Sequence, residues 1–142
     1  MDGIPERLNT VFRAAVENIA PLWDQLEPLL AKPLALRPTH DAEDVRKMLM
    51  GQHCHLWVQM DGPVVQALVV TEFCAFPKGV WVNAWLAAAL DDARFDYWRF
   101  REVLCEWALT NNCRGVSATG RVGWLKKYPE AKYEGVCVRM TF

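Results

Sequence analysis

The chain has 142 residues, 52% hydrophobic and 23% charged, which fits one soluble globular domain with one core. Lys+Arg 16 against Asp+Glu 17 gives a formal net charge of -1, which excludes a protein that grips nucleic-acid phosphates through a basic excess and excludes an acidic solvating tail. Five cysteines, widely spaced and without a CxxC, point away from a disulfide framework and from zinc.

The N-terminus Met1-Asp2-Gly3-Ile4-Pro5-Glu6 has no basic region leading into an apolar stretch, so no signal peptide is expected. In chain order, Leu8, Val11, Phe12, Ala15, Val16 and Ile19 recur at three- and four-residue steps and predict a helix from about Pro5 to Ala20. Pro21 suits the first turn of a second helix with Leu22, Trp23, Leu26, Leu29 and Leu30 inward, kinked or shortened at Pro28. Lys32 to Pro38 carries two prolines and reads as a connector. Thr39 or Asp41 caps a short helix with Val45, Met48 and Leu49 inward, stopped at Gly51.

Strands follow. His53 to Met60 runs into Asp61-Gly62, a hairpin signal, and Val64 to Thr71 returns. Pro77-Lys78-Gly79 turns the chain again. Val80 to Leu90 is a third strand, apolar on both faces at its end as a central strand is, and its longest apolar run is too short to span a bilayer. After Asp91-Asp92, a long helix is expected from about Phe95 to Asn112, with Tyr97, Phe100, Leu104, Trp107 and Ala108 on one face. Asp96, Arg99, Glu102 and Glu106 form its wet face. Gly115 to Gly120 is a short strand, Val122 to Tyr128 one or two helical turns stopped by Pro129, and Tyr133 to Phe142 a last strand. A right-handed crossover makes the strands on either side of the long helix parallel. The expectation is a single α/β (α+β) domain over residues 1–142. Residues 1–50 are its helical part. Residues 53–142 hold a mixed sheet, an antiparallel meander followed by a parallel β-α-β crossover, with helices on both faces.

That element order resembles the GNAT acyltransferase fold. The wording resembles most the small GNAT-like proteins carried by tailed-phage genomes, through Leu56-Trp57-Val58 before Asp61-Gly62, Ala67-Leu68-Val69-Val70-Thr71-Glu72 with Phe76-Pro77, Trp107-Ala108 before Asn112-Cys113, and Gly120-Arg121-Val122-Gly123-Trp124 with Tyr128-Pro129. The resemblance covers about Ala42 to Phe142. It implies a V-shaped opening between the two parallel strands for acyl-CoA, whose pyrophosphate lies on the backbone N–H groups of a glycine-rich loop at the start of the long helix. The sequence departs from that pattern at the loop. It reads Ala88-Ala89-Leu90-Asp91-Asp92-Ala93-Arg94-Phe95, without glycine and with two aspartates where phosphate oxygens would go. Like charge at a phosphate site is costly, and Arg94 offsets part of it.

The resemblance also nominates side chains. Gly120 and Arg121 follow a parallel strand at its carboxyl end, where open α/β sheets bind ligands, and Arg121 can hold an anion by a fork of donors. Trp124 can cover an acyl chain, or belong to the core beside a plain glycine turn. Tyr128 stands where a phenol protonates a leaving thiolate, and Glu72 where a carboxylate takes a proton. The simpler roles are a half-buried Tyr128 beside Pro129 and a solvated strand end for Glu72. His53-Cys54-His55 has the spacing of two metal ligands, but nothing nominates a third, so exposed histidines at the start of an edge strand are expected and no metal. Trp81 and Trp85 share one face of the third strand, as core or as a partner surface.

The altered loop implies a protein that acts by binding rather than by catalysis: a virion or assembly component, or one that engages a host protein, through a protein partner or self-association. Its setting is then the virion or a reducing host cytoplasm, with no nucleic acid and no membrane. The alternative is an acyl-CoA-dependent N-acyltransferase with an atypical phosphate loop, using acetyl-CoA held by Arg94, Gly120, Arg121 and Trp124. A second alternative is a small-molecule-binding domain in the same cleft.

Overall fold

Where a helix was expected from about Pro5 to Ala20, the described residues begin with a strand. In the computed structural model, which describes residues 9–119, 127–128, 130–132 and 139–140, Asn9–Arg13 (β1) pairs antiparallel with His55–Asp61 (β2). Thr10 faces Met60 and Arg13 faces Trp57. Val11 is buried and Phe12 exposed, the two-residue alternation of a strand. The helical spacing was ambiguous over so short a run of β-formers, and the edge of β2 offers backbone partners that decide it. A 3-10 turn over Val16–Asn18 then leads into the first helix.

Ile19–Leu34 (α1) buries Ile19, Trp23, Leu26, Leu29, Leu30 and Leu34. It runs through Pro28 and Pro33, so the connector begins after Leu34 rather than at Lys32. Each proline removes one intrahelical donor, and the buried leucines around them keep the helix on the sheet. Ala42–Met50 (α2) starts on a capping box: Asp41 accepts from the Asp44 N–H at 2.8 Å, and Asp44 accepts from the Asp41 N–H at 3.0 Å.

β2, Val64–Phe76 (β3) and Gly79–Ala89 (β4) form the expected meander. Its turns use Gly62 at φ 57° and Gly79 at φ 136°, conformations that favour glycine. Tyr97–Thr110 (α3) crosses to Gly115–Ala118 (β5), which lies parallel to β4. The strand order is β1-β2-β3-β4-β5. One face packs Leu56, Val58, Leu68, Val70 and Leu86 under α1 and α2. The other packs Trp57, Ala67, Val69 and Ala84 under Phe100 and Leu104 of α3. The mixed α/β sheet with helices on both faces is the one expected. The turns expected at 122–128 and the strand at 133–142 lie largely outside the described residues. Among the described residues, no helix is long and apolar enough to cross a membrane.

Candidate functional site

Among the described residues the parallel pairing of β4 and β5 is short. β4 and β5 run together from Trp81 beside Gly115 to Ala84 beside Ala118, and the Thr119 N–H adds one bond to Ala84 O at 2.9 Å. From Trp85 to Ala89, β4 has β3 as its strand neighbour among the described residues. The end of the described pairing coincides with a β-bulge. Ala84 faces Thr71 and Leu86 faces Val70, so Trp85 is the extra residue. The side chains record the slip: Trp85 and Leu86 both join the core under α1, while Ala84 and Ala87 lie on the α3 side. A bulge bends its strand. The described part of β5 ends level with the bulge, at the carboxyl ends of two parallel strands, where such sheets place ligands.

Cationic side chains from α1 and the segment after it reach the ends of both strands. Arg37 Nη2 donates to Thr119 O at 3.0 Å, and Lys32 Nζ donates to Ala89 O at 3.1 Å. Lys32 also pairs with Asp91 at 2.7 Å, which holds that carboxyl below the usual carboxylate range. The His40 ring lies 4.9 Å from the Trp85 ring, and the Arg37 guanidinium 5.9 Å from it. Next to the bulge, Asn83 Oδ1 accepts from Ser117 Oγ at 3.1 Å and from Thr119 Oγ1 at 3.4 Å. Glu72 pairs with Asn83 across β3 and β4. It is half-buried inside β3, which continues to Phe76, rather than at a solvated strand end.

On the other side, the turn from β4 to α3 is closed upon itself. Gln59, 2% exposed, donates through Nε2 to Arg94 O at 2.8 Å and accepts the Asp96 N–H on Oε1 at 2.9 Å. Asp96 caps α3 by accepting the Arg99 N–H at 3.0 Å. The Ala93 N–H is bound to Leu90 O at 3.0 Å and the Tyr97 N–H to Phe95 O at 3.1 Å. The carboxylate at the helix end is therefore that of Asp96, while Asp91 is turned to Lys32. Arg94 is exposed.

Tyr128 reaches the start of α3. Its hydroxyl donates to Tyr97 O at 2.7 Å, and its ring meets Tyr97 and Trp98 edge-on at 6.0 and 6.5 Å. The phenolic proton is committed to that carbonyl. Burial pushes the phenol up to about 12, so it stays protonated at neutral pH. Because an unfolded tyrosine ionises near about 10, stability is expected to be level below about pH 10 and to fall as pH rises towards about 12. Ultraviolet titration of the protein and of Tyr128→Phe checks this: the late-ionising phenol disappears in the variant, and an unchanged titration curve would show that another tyrosine carries it. Gly120, Arg121 and Trp124 lie outside the described residues.

The remaining candidates fall elsewhere. His55 is half-buried against Phe73 and Trp107, with ring centres at 5.4 and 5.3 Å, and burial lowers its pKa. The pair of exposed histidines is thereby corrected, since His53 alone is exposed. Among the described residues, no three His, Cys, Asp or Glu side chains gather as a metal site. Burial pushes the Cys54 thiol up to about 11, far from a reactive thiolate. On the outer face of α3, Arg99 pairs with Glu102 and Arg101 with Glu130.

Four residues of this site escaped the sequence: Gln59, Asp96, Lys32 and Arg37. Gln59 left a trace as the polar residue in the run Leu56-Trp57-Val58-Gln59-Met60, and Asp96 as an Asx just before a helix. Lys32 and Arg37 left none, because their partners lie 57 and 82 residues away in sequence.

No protein-family model and no curated protein matches the chain. Solved structures do. An aminoglycoside acetyltransferase from an uncultured soil metagenomic sample superposes with a TM-score of 0.69 at 12% identity, over 96% of this chain and 98% of that one. A predicted acetyltransferase from Clostridium acetobutylicum, solved with acetyl-CoA, gives 0.69 at 13% identity over 94% and 96%. A ribosomal-protein-alanine N-acetyltransferase from Brucella melitensis biovar Abortus 2308 gives 0.69 at 12% identity over 93% and 99%. At such identities the likeness is one of fold.

Proposed function

Given that the chain has a GNAT-like fold, we propose that it is an acyltransferase that takes an acyl group from a pantetheine thioester at the carboxyl end of the β4–β5 pair and passes it to an amine. One observation carries this reading: the bulge at Trp85, beyond which β4 has β3 alone as its strand neighbour among the described residues, level with the carboxyl end of the parallel pair. An extended, uncharged amide-bearing arm can lie along such an edge by main-chain hydrogen bonds. The structures that superpose include one solved with acetyl-CoA, which supports the same donor class. The diphosphate of CoA does not fit the turn before α3, where the Asp96 and Arg99 amides are already bound and a carboxylate caps the helix.

The chain's own residues must accept a proton from the amine and supply one to the departing thiolate. Glu72 beside Asn83 suits the first task. Tyr128 suits the second after its hydroxyl leaves Tyr97 O. Arg94 is exposed on the turn, and Arg121 and Trp124 are assigned to the donor by the resemblance alone.

A second reading is binding without catalysis, with a virion, assembly or host protein as the class of partner that the phage-type resemblance implies. The committed Tyr128 proton and the closed turn favour it. Thermal melting with millimolar acetyl-CoA and with acetyl-pantetheine separates the two. A donor at a hundred times its dissociation constant stabilises by about 2.7 kcal/mol, a rise of several degrees at this size. A flat melt with both would sink the acyltransferase and leave the binding role.

A further inference from the structure

We infer that the acyl donor is recognised through its pantetheine arm and not through its diphosphate, so the substrate class is an acyl-pantetheine thioester whose adenosine diphosphate portion adds no affinity. This rests on the donor reading above. A helix N-terminus binds a phosphate because its first amides lack partners and its dipole is positive there. In this chain, the amides of Ala93, Asp96, Tyr97 and Arg99 are bound internally. The Asp96 carboxylate takes the Arg99 N–H and so occupies the place an anion would take. Gln59 locks the turn from behind, holding Arg94 O and the Asp96 N–H at once.

Charge points the same way. Residues 90–96 hold three carboxylates, Asp91, Asp92 and Asp96, against the one guanidinium of Arg94. Lys32, the cation that reaches this turn from α1, is spent on Asp91 and Ala89 O. A diphosphate entering here meets like charge, and the capped Arg99 amide and the bound Asp96 amide are closed to it. The arm is neutral and meets no such charge; on the β4 edge beyond the bulge Lys32 holds Ala89 O, so the arm must use the other backbone groups there.

Calorimetric titration of the whole chain with three probes tests this: acetyl-pantetheine, acetyl-phosphopantetheine attached to a carrier protein, and acetyl-CoA. Acetyl-pantetheine and acetyl-CoA are expected to bind within about threefold of each other, with affinities that added salt barely changes. Binding of the carrier-borne probe at least as tight as that of the free arm would identify a protein-borne source; weaker binding, a free one. Either supports the inference. Acetyl-CoA binding about tenfold or more tightly than acetyl-pantetheine would overturn it while leaving the donor reading intact. Failure of all three probes would overturn the donor reading itself. Asp96→Asn gives a second check, because asparagine still caps a helix but carries no charge. It should tighten acetyl-CoA by about threefold and leave acetyl-pantetheine unchanged. An equal effect on both, or on neither, would remove the turn from donor choice.

Discussion

Gln59→Leu is expected to lower the free energy of unfolding by about 2–4 kcal/mol, although leucine keeps the volume and is apolar. Two partners in the turn lose their bonds, Arg94 O at 2.8 Å and the Asp96 N–H at 2.9 Å. Each group left buried and unpaired costs about 1–3 kcal/mol, and water reaching this partly exposed turn recovers some of that. Gln59→Glu sharpens the test. The carboxylate still accepts from the Asp96 N–H but sets an oxygen against the Arg94 carbonyl, so it should also destabilise, and most at pH values where it is charged. Urea unfolding followed by tryptophan fluorescence reads both variants. A loss below about 1 kcal/mol in Gln59→Leu would mean that water replaces the amide without penalty and that the turn holds its shape unaided.

Phe100→Ala is expected to cost about 3–5 kcal/mol. Phe100 is 1% exposed and anchors α3 on the sheet, in a cluster with Val11, Trp57, Ala67, Val69, Ala84 and Leu104. Phe95 stacks on it with ring centres 4.6 Å apart, so the same ring steadies the turn that Gln59 holds. Removing it leaves a cavity between a helix and a strand sheet that cannot close without moving one of them. At a typical urea dependence, the midpoint should fall by about 2 M with an unchanged slope. A much smaller fall would show that α3 settles onto the sheet and refills the space. Phe100→Leu, which keeps most of the volume, should lose far less.

Much of the fold was legible because its signals are local. Asp41 announced the start of α2, and Asp61-Gly62 and Pro77-Lys78-Gly79 announced the hairpin turns, with Gly62 and Gly79 both at positive φ. The apolar run of β4 showed a central strand, and the helix after it required a parallel partner. β1 was misread because Val11, Phe12 and Ala15 satisfy both a helical step and, locally, a strand; the choice is made by β2, more than forty positions away. The helix expected to be kinked or shortened at Pro28 continues to Leu34, since burial of four leucines outweighs two lost donors.

The site divides in the same way. That a long helix follows β4 through a glycine-free acidic turn, and that Glu72 and Tyr128 are candidates, follows from the residues in order. Which carboxylate stands at the helix end does not: Asp91 is drawn to Lys32, and Asp96 becomes the cap because Gln59 fixes its amide. The bulge at Trp85 is likewise invisible in a run of apolar residues, because its cause is a one-residue mismatch between β3 and β4 and not a property of tryptophan. Sequence determined the order, type and polarity of the elements, which depend on neighbours along the chain. Tertiary structure decided the bulge, the cationic contacts at the strand ends and the closed turn, because each is a contact between segments that only packing brings together.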